Sequence, residues 1–525
     1  MSEVLTPGIL VEEFPGRETA LDAFPEGVTA FLGAAPRGPL GRAVAVDGAA
    51  TFDRLFGAAG VSSPLQSCVH DFFAAGGQRA VIVRAANGGK ACSIRLPGRE
   101  GALLLEALSP GRREYLRCSV DYDQIAPSDD AAFNLVVQRL RSPGTERVID
   151  QEIYRRLSVR PADENYVADA LMSSALVRVR GATPPTRPAA TVSTAPGHPV
   201  TWVDAEDDGD DGKALTDYDL VGSRAQGSGL FALDAAGPID FLCLPPSPAG
   251  GGPGPALLLA ALRYCRRRSA MLLLEPPADT NDAEQALAWL HGLNITGENA
   301  VAVFPQLNGD ARGASRPAAG AVAGALARAP ADVQPVLGAQ FRPTHELPAE
   351  MRRRLQAAGM NIIGRGRGGR IALDGDRTLA SPECPVQAWR SLVSRRLALT
   401  IERVLLQGTR WAVFETGGED LAERLRIQVT GWLESLRFAG LLAGGPGEAW
   451  FLDLAQVAAA DRPGRVEFTV GFAPRRAREF VIYRVSQGLN GARLAPVSAE
   501  RWAISRPARA TAAAGGLPGD TREAG

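Results

Sequence analysis

The sequence predicts a multidomain α/β and α+β protein, with a mostly β domain inserted into its α/β part. Three observations carry this. Apolar strand-like runs alternate with helical periods over residues 28–84, and again over 241–329. Between these stretches, residues 91–203 lose the helical period and read as short strands divided by polar turns. Beyond residue 381, long helical patterns are followed by strands in which apolar residues alternate with polar or small ones.

Taken in order, Pro7–Phe14 reads as a lone extended segment and Val28–Gly33 as a buried strand. Thr51–Gly57 is a short helix closed by glycine. Ser63 is a helix N-cap with Pro64 at the first helical position, and Leu65, Cys68, Val69, Phe72 and Phe73 share the apolar face of that helix. Gly76-Gly77 ends it, and Arg79–Arg84 is the next strand. In the insertion, strands are expected at Leu103–Ala107, Tyr115–Val120, Phe133–Arg139 and Leu176–Val179, with a Pro/Thr/Ala-rich linker over Gly181–Val200. The α/β pattern resumes around Phe241–Pro245. Helices follow at Pro255–Arg268, Ala283–Gly292 and Ala318–Ala329, with strands at Ala270–Leu274 and Asn299–Phe304.

In the last third, Gln387–Gln407 is expected as one long helix and Trp411–Phe414 as a strand. Glu419–Leu442 is an amphipathic helix with acids in its first turn, and Leu421, Leu425, Val429, Trp432, Leu433 and Leu436 line one face. Strands follow at Trp450–Leu454, Val466–Phe472 and Glu479–Val485, and the Ala/Gly/Thr-rich end is expected to be disordered. The first and last of these extended segments lack an evident hairpin partner. A strand must pair its backbone groups somewhere, so both ends point to pairing over long range or with another copy of the chain.

The chain has 525 residues, enough for several domains, and a net charge of −1, which gives no global pull toward nucleic acid or anionic membrane. Only two lysines occur, Lys90 and Lys213, so the positive charge is almost all arginine. The six cysteines are scattered, with no CxxC pair, which argues against a zinc site or a disulfide framework. No signal peptide or stretch of about 20 apolar residues is visible.

Chemical motifs are tested and fail. Gly88-Gly89-Lys90 ends a strand but lacks the rest of a phosphate loop, since Ala91 follows the lysine. Gly364–Arg370 is a basic glycine-rich loop that misses the dinucleotide spacing. Asp204–Gly212 has acids at alternating positions, but Leu215 stands where a calcium loop needs its bidentate glutamate, so it reads as a solvated acidic loop. Four histidines are a thin supply for catalysis, and His70 sits on the polar side of its helix. No catalytic, metal or cofactor residue is nominated.

The pieces in order resemble the tail sheath proteins of contractile phage tails and related injection systems. Pro7-Gly8-Ile9-Leu10-Val11-Glu12-Glu13 is similar to that family's opening PGVYVEE. Val28–Gly33 with Arg37-Gly38-Pro39-Leu40, then Phe52, Leu55, Phe56 and Gly57, are similar to its VAAFVG, RGPL and F..LFG segments. Phe72–Arg84 resembles its FF.NGG.RAYVVR, Trp411–Glu415 its W.VFE, and Gly471–Pro474 with Glu479–Ile482 its VG.AP..PAEFV. The chain departs at Thr416-Gly417, where the family has Pro-Asn, and at Arg370–Leu379, where a family tryptophan is missing.

The resemblance implies an N-terminal strand-exchange arm over 1–25 and a subtilisin-like α/β sheath domain over 26–90 and 204–380. It further implies the β insertion over 91–203, a C-terminal α+β sheath domain with a terminal strand over 381–488, and a flexible tail over 489–525. It implies no enzyme and no cofactor, but a structural subunit that stacks in six-membered rings around an inner tube protein, with baseplate and terminator or cap proteins at the ends. Such a sheath contracts to drive the tube through a target envelope. It assembles in the cytoplasm within a phage tail or tail-like particle that can be released, and it involves neither nucleic acid nor membrane insertion. On this reading Ile9, Leu10 and Val11 exchange strands with Phe480, Val481, Ile482, Tyr483 and Val485 of other copies. Arg424, Arg426 and Arg437 would face the tube. Two alternatives are a subtilisin-like or other α/β hydrolase, which needs a converging nucleophile and base, and a non-contractile self-assembling scaffold or shell protein.

Overall fold

A computed structural model describes residue 21 and residues 27–57, 63–142, 144–191, 201–206, 209–246, 252–309, 315–330, 335–366, 369–415, 417–458, 464–476 and 479–497. The chain divides into two compact units, Pro25–Ser381 and the remainder.

The larger unit is built on β1 (Thr29–Gly33), β2 (Ala43–Val46), α1 (Ala49–Phe56), α2 (Pro64–Ala74) and β3 (Ala80–Arg84). Ser63 caps α2 as its sequence predicts: its hydroxyl accepts the Gln66 N–H at 3.1 Å. The insertion contributes β4 (Ala91–Gly98), β5 (Gly101–Pro110), β6 (Leu116–Asp121), β7 (Ala132–Leu140), β8 (Val148–Ser158), α3 (Val167–Ala170), β9 (Val177–Val179) and β10 (Val203–Asp204). After α4 (Asp217–Val221) the α/β order resumes with β11 (Phe241–Cys243), α5 (Pro255–Arg268), β12 (Met271–Leu274), α6 (Ala283–Gly292) and β13 (Ala300–Phe304). The unit ends with β14 (Leu307–Asn308), β15 (Ser315–Arg316), α7 (Ala319–Arg328), α8 (Ala349–Ala357), β16 (Met360–Arg365) and β17 (Ile371–Asp374).

Eight strands form one sheet in the order β17-β16-β13-β12-β11-β1-β3-β2. The six inner strands run parallel, while β2 and β17 are antiparallel edges. Parallel strands need cover on both faces, which explains why β1, β3, β12 and β13 are buried along their whole length. Ala30, Leu32, Leu272 and Ala302 meet Leu257, Ala261 and Cys265 of α5 and Ala286 of α6 in one core. On the other face α2 and α7 pack against each other and against β1. That approach depends on glycine: a Cβ on Gly320 would lie 2.0 Å from the Cys68 carbonyl oxygen, and one on Gly324 2.2 Å from that of Phe72.

The insertion is mostly β, as its texture predicts, but with more strands than the sequence reading contains: β4, β8 and β10 are additional. Sheets β4-β5-β9 and β10-β6-β7-β8, each antiparallel between neighbours, share a core that includes Ile94, Leu105, Cys118, Phe133 and Val137. Part of the linker straps across both sheets. Thr191 accepts the Val120 N–H at 2.8 Å, Tyr122 donates to the Pro188 carbonyl at 2.5 Å, and Arg187 lies 3.7 Å over the Tyr122 ring.

Polar contacts tie the insertion to its host: Arg54 pairs with Asp150 at 3.4 Å, and the Gly38 N–H donates to Glu114 at 3.4 Å. Buried Arg84, at the end of β3, donates to the carbonyls of Ala35 and Gly38, both at 2.8 Å. Glu114 accepts from Arg139 at 2.9 Å, and Arg139 also reaches Asp150 at 2.8 Å. Burial lowers the pKa of Arg84 to about 10, which leaves it charged at neutral pH, with Glu114 and Asp211 as the compensating charges.

The tight helix contact makes a direct prediction. Gly320→Ala should destabilise the protein by about 1–3 kcal/mol through overpacking. Gly431→Ala, at a helix position in the smaller unit with open space around its Cα, should stabilise by about 0.5–1 kcal/mol. Urea unfolding of the two variants separates these outcomes.

Candidate assembly surfaces of the C-terminal unit

The smaller unit contains α9 (Leu392–Gly408), α10 (Glu419–Phe438), β18 (Trp450–Asp453), α11 (Ala455–Ala458), β19 (Arg465–Phe472), β20 (Val481–Gly488) and β21 (Gly491–Val497). The long helix expected over 387–407 is broken. Gln387–Arg390 is a 3-10 turn, and Ser391, in extended backbone, starts a new helix by accepting the Ser394 N–H at 3.1 Å. Trp411–Phe414 is also not a strand. Arg410–Phe414 forms a 3-10 turn that buries Ala412 and Val413, and the Trp411 indole donates to Gln428 at 3.0 Å. Four apolar residues are too few to fix a period.

α10 ends at Phe438, four residues before the expected boundary. Gly440, at φ +75°, lets the Leu441 N–H reach the Leu436 carbonyl and its own N–H the Arg437 carbonyl, so the chain turns there. Leu421, Leu425, Val429 and Leu433 are buried as the pattern predicts, while Trp432 and Leu436 are half-buried.

The four strands form one antiparallel sheet in the order β18-β19-β20-β21. This corrects the sequence reading of Phe480–Val485 as a segment without a partner. Val481, Ile482, Tyr483 and Val485 lie in β20, buried, with β19 on one side and β21 on the other. Phe480 precedes the strand, is 38% exposed, and has its ring 6.0 Å from that of Phe451. Residues 491–497, expected within a flexible tail, are β21. The missed signal is Asn490-Gly491, a dipeptide common in tight hairpins: Gly488 pairs with Gly491 across the turn.

β20 is also fixed from α9. The Tyr483 hydroxyl donates to Glu402 Oε1 at 2.5 Å, and Arg395 reaches the same oxygen at 2.7 Å. The Arg395 guanidinium stacks 4.5 Å over the Trp389 ring, whose centroid lies 6.4 Å from that of Tyr483. Burial and the neighbouring Glu402 carboxylate push the Tyr483 hydroxyl well above its ordinary pKa. Gln487 donates to the Leu406 carbonyl and the Thr409 hydroxyl, both at 3.0 Å.

Two surfaces are left. One is the pair of outer edges of the sheet, on β18 and β21, which pair with no further strand among the described residues. β21 is exposed at Gly491–Arg493, Ala495 and Pro496. The other is the outward face of α10, where Ile427 is 62% and Phe438 79% exposed. Arg424 pairs with Glu415 at 3.4 Å and covers the Trp411 ring. Arg426 pairs with Glu423 at 3.1 Å and Arg437 with Glu434 at 2.6 Å. The three arginines therefore share one helix, each with a carboxylate partner. Ile9, Leu10 and Val11 lie outside the described residues. Leu21 is buried in this unit beside Gly408, where a Cβ would come within 2.1 Å of it.

The tested chemical motifs have structural roles in the larger unit. The loop at Asn87–Lys90 is pinned by Asp210–Lys213: the Lys90 N–H reaches the Asp210 carbonyl at 3.0 Å, and the Lys213 N–H that of Asn87 at 2.8 Å. Gly364 and Arg365 belong to β16 and lead into the turn toward β17, with Arg365 paired to Glu346 at 3.1 Å. His70 meets Asp53 at 2.8 Å, and the same carboxylate oxygen accepts from Gln66. Among the described residues no group of three or more His, Cys, Asp or Glu side chains is placed to hold a metal, and no helix is long and apolar enough to cross a membrane.

No protein-family profile and no curated protein matches the chain. Solved structures do. A sheath tail protein of Listeria innocua matches with a TM-score of 0.60 and 13% identity, over 89% of this chain and 96% of that one. A sheath tail protein of Desulfitobacterium hafniense matches with a TM-score of 0.56 and 14% identity, over 92% of this chain and all of that one. The sheath of an extracellular contractile injection system, solved in its contracted state, matches with a TM-score of 0.52 and 14% identity, over 93% of this chain and 99% of that one. The chain thus has the fold of sheath tail proteins of phage tail-like contractile systems.

The buried Arg395–Glu402–Tyr483 contact predicts graded losses. Glu402→Ala removes the anion between two donors and should cost about 3–5 kcal/mol. Tyr483→Phe removes one donor and should cost about 1–3 kcal/mol. Chemical denaturation followed by tryptophan fluorescence measures both.

Proposed function

We propose that this chain is a structural subunit of a contractile sheath, which polymerises around an inner tube and shortens to drive the tube through a target envelope. The observation that carries this reading is the extent of the fold match: 92% of this chain against all of a sheath tail protein. In this reading the eight-stranded unit is the subtilisin-like sheath domain, serving as a scaffold without catalysis, and the smaller unit is the C-terminal sheath domain. Subunits stack as six-membered rings, with baseplate and terminator or cap proteins closing the ends. Assembly takes place in the cytoplasm, within a particle that is later released. The work of contraction comes from the free-energy difference between two packings of the same subunits.

The linkage between subunits is strand addition. β20 is occupied on both sides, so we assign the receiving edge to β21. It is seven residues long, close to the eight of Pro7–Phe14. Exposed Arg484 and Arg493 suit Glu12 and Glu13 of an incoming arm carrying Ile9, Leu10 and Val11. The buried Leu21 ties the base of that arm to its own C-terminal unit. For the tube we assign the outward face of α10. There Arg424, Arg426 and Arg437 would exchange intrachain carboxylates for those of the tube, around exposed Ile427 and Phe438.

Electron microscopy of the protein co-expressed with its tube and baseplate partners tests the reading. Tubular sheaths in two states, one long and narrow and one short and wide, are expected; a single fixed form would leave only the non-contractile scaffold. Deleting residues 1–20 should give folded subunits that sediment as monomers or small rings. Long sheaths from that variant would sink the strand-addition linkage.

A further inference from the structure

The α2–α7 layer of the larger unit contains two carboxylates that the assembly reading does not use. Glu275 follows β12 directly, and its Oε2 accepts the N–H groups of Ala318 and Ala319 at 2.6 and 3.3 Å, where α7 begins. Its other oxygen, Oε1, is shielded from solvent and has no hydrogen-bond partner among the described atoms. Asp71, on α2, is buried; its Oδ1 is paired with Arg316, while Oδ2 is likewise shielded and without a partner. Cys68 of α2 and Cys243 of β11 are the other titratable groups facing Glu275, both buried thiols. Arg316, His70, the Cys68 thiol and Glu275 itself are the charged or titratable groups facing Asp71. The Arg316 guanidinium is itself held over the Phe341 ring.

We propose that Glu275 and Asp71 form a protonation-sensitive latch, in which α7 is seated more firmly when Glu275 carries a proton than when both carboxylates are ionised. A neutral Glu275 still accepts both α7 N–H groups through its carbonyl oxygen. Its proton, on Oε1, removes an unpaired charge from a water-excluded site and the repulsion from Asp71. The tight Gly320 and Gly324 contacts leave the layer little room to relax or admit water.

Burial raises the Glu275 pKa from 4.5 to about 7, with repulsion from Asp71 adding to it, and burial raises that of Asp71 from 3.8 to about 6 against the pull of Arg316. Both folded values lie above the unfolded ones, so the folded state binds more protons. The stabilisation is present at and below pH 4.5 and is lost as pH rises through 6 to 7. For Glu275 alone, a rise from 4.5 to about 7 corresponds to roughly two orders of magnitude in the folding equilibrium.

The test is hydrogen exchange of α7 amides in the purified full-length chain between pH 5 and 8, read as protection relative to intrinsic rates. Wild type should lose protection over this range, roughly a hundredfold. Glu275→Gln keeps the cap without the charge, and should lose far less protection than wild type between pH 5 and 8, with only the Asp71 contribution remaining. Asp71→Asn should move the wild-type midpoint to lower pH. A Glu275→Gln profile parallel to that of wild type, or a midpoint unmoved by Asp71→Asn, overturns the latch. Thermal melts of the same proteins supply a second reading: the gap between Glu275→Gln and wild type should widen as pH rises, and a constant gap contradicts the proposal.

Discussion

The contact on which the C-terminal unit depends is the one between Tyr483, Glu402 and Arg395. It places a strand residue, two helix residues and a shared carboxylate oxygen in a water-excluded space. Such a pair is expensive to bury and more expensive to break, so it selects one arrangement of α9 on β20. Once β20 is set, β19 and β21 can satisfy its backbone on both sides. Among the described residues the sheet then has its open edges at β18 and β21.

The larger unit solves its packing problem with small residues. Six parallel strands require helices on both faces, and α7 meets that need with a surface almost wholly of alanine and glycine. Its approach to α2 brings Gly320 and Gly324 against the backbone of the facing helix. α7 has no side-chain cap of its own, and the Glu275 carboxylate at the end of β12 supplies the acceptor for its first N–H groups.

Much of the α/β unit was legible in the sequence because local signals agreed. Ser63-Pro64 marked the start of α2, and the runs at Pro255–Arg268 and Ala283–Gly292 coincide with α5 and α6. The errors arose where a short apolar run could satisfy more than one geometry. Trp411–Phe414 lacked the length to specify a strand, and Ser391 was absorbed into a helix that it in fact begins. The pairing of β20 was not legible from its own residues, because edge and centre strands share one alternation. Asn490-Gly491 held the answer one turn later. Of the candidate site, all three arginines lie on α10, Arg424 and Arg426 exposed and Arg437 half-buried, but their pairing with Glu415, Glu423 and Glu434 emerges only in the fold.

The central claim is that these subunits polymerise into a sheath by adding strands to the open edge of the C-terminal sheet. A helical reconstruction of the assembled particle tests it most directly. The account predicts a hollow layer of this fold around a tube, with β20 still between β19 and β21 and an extra strand from another subunit lying against β21. Density in which β21 remains an unpaired edge in every subunit, or in which no helical layer forms, would contradict it.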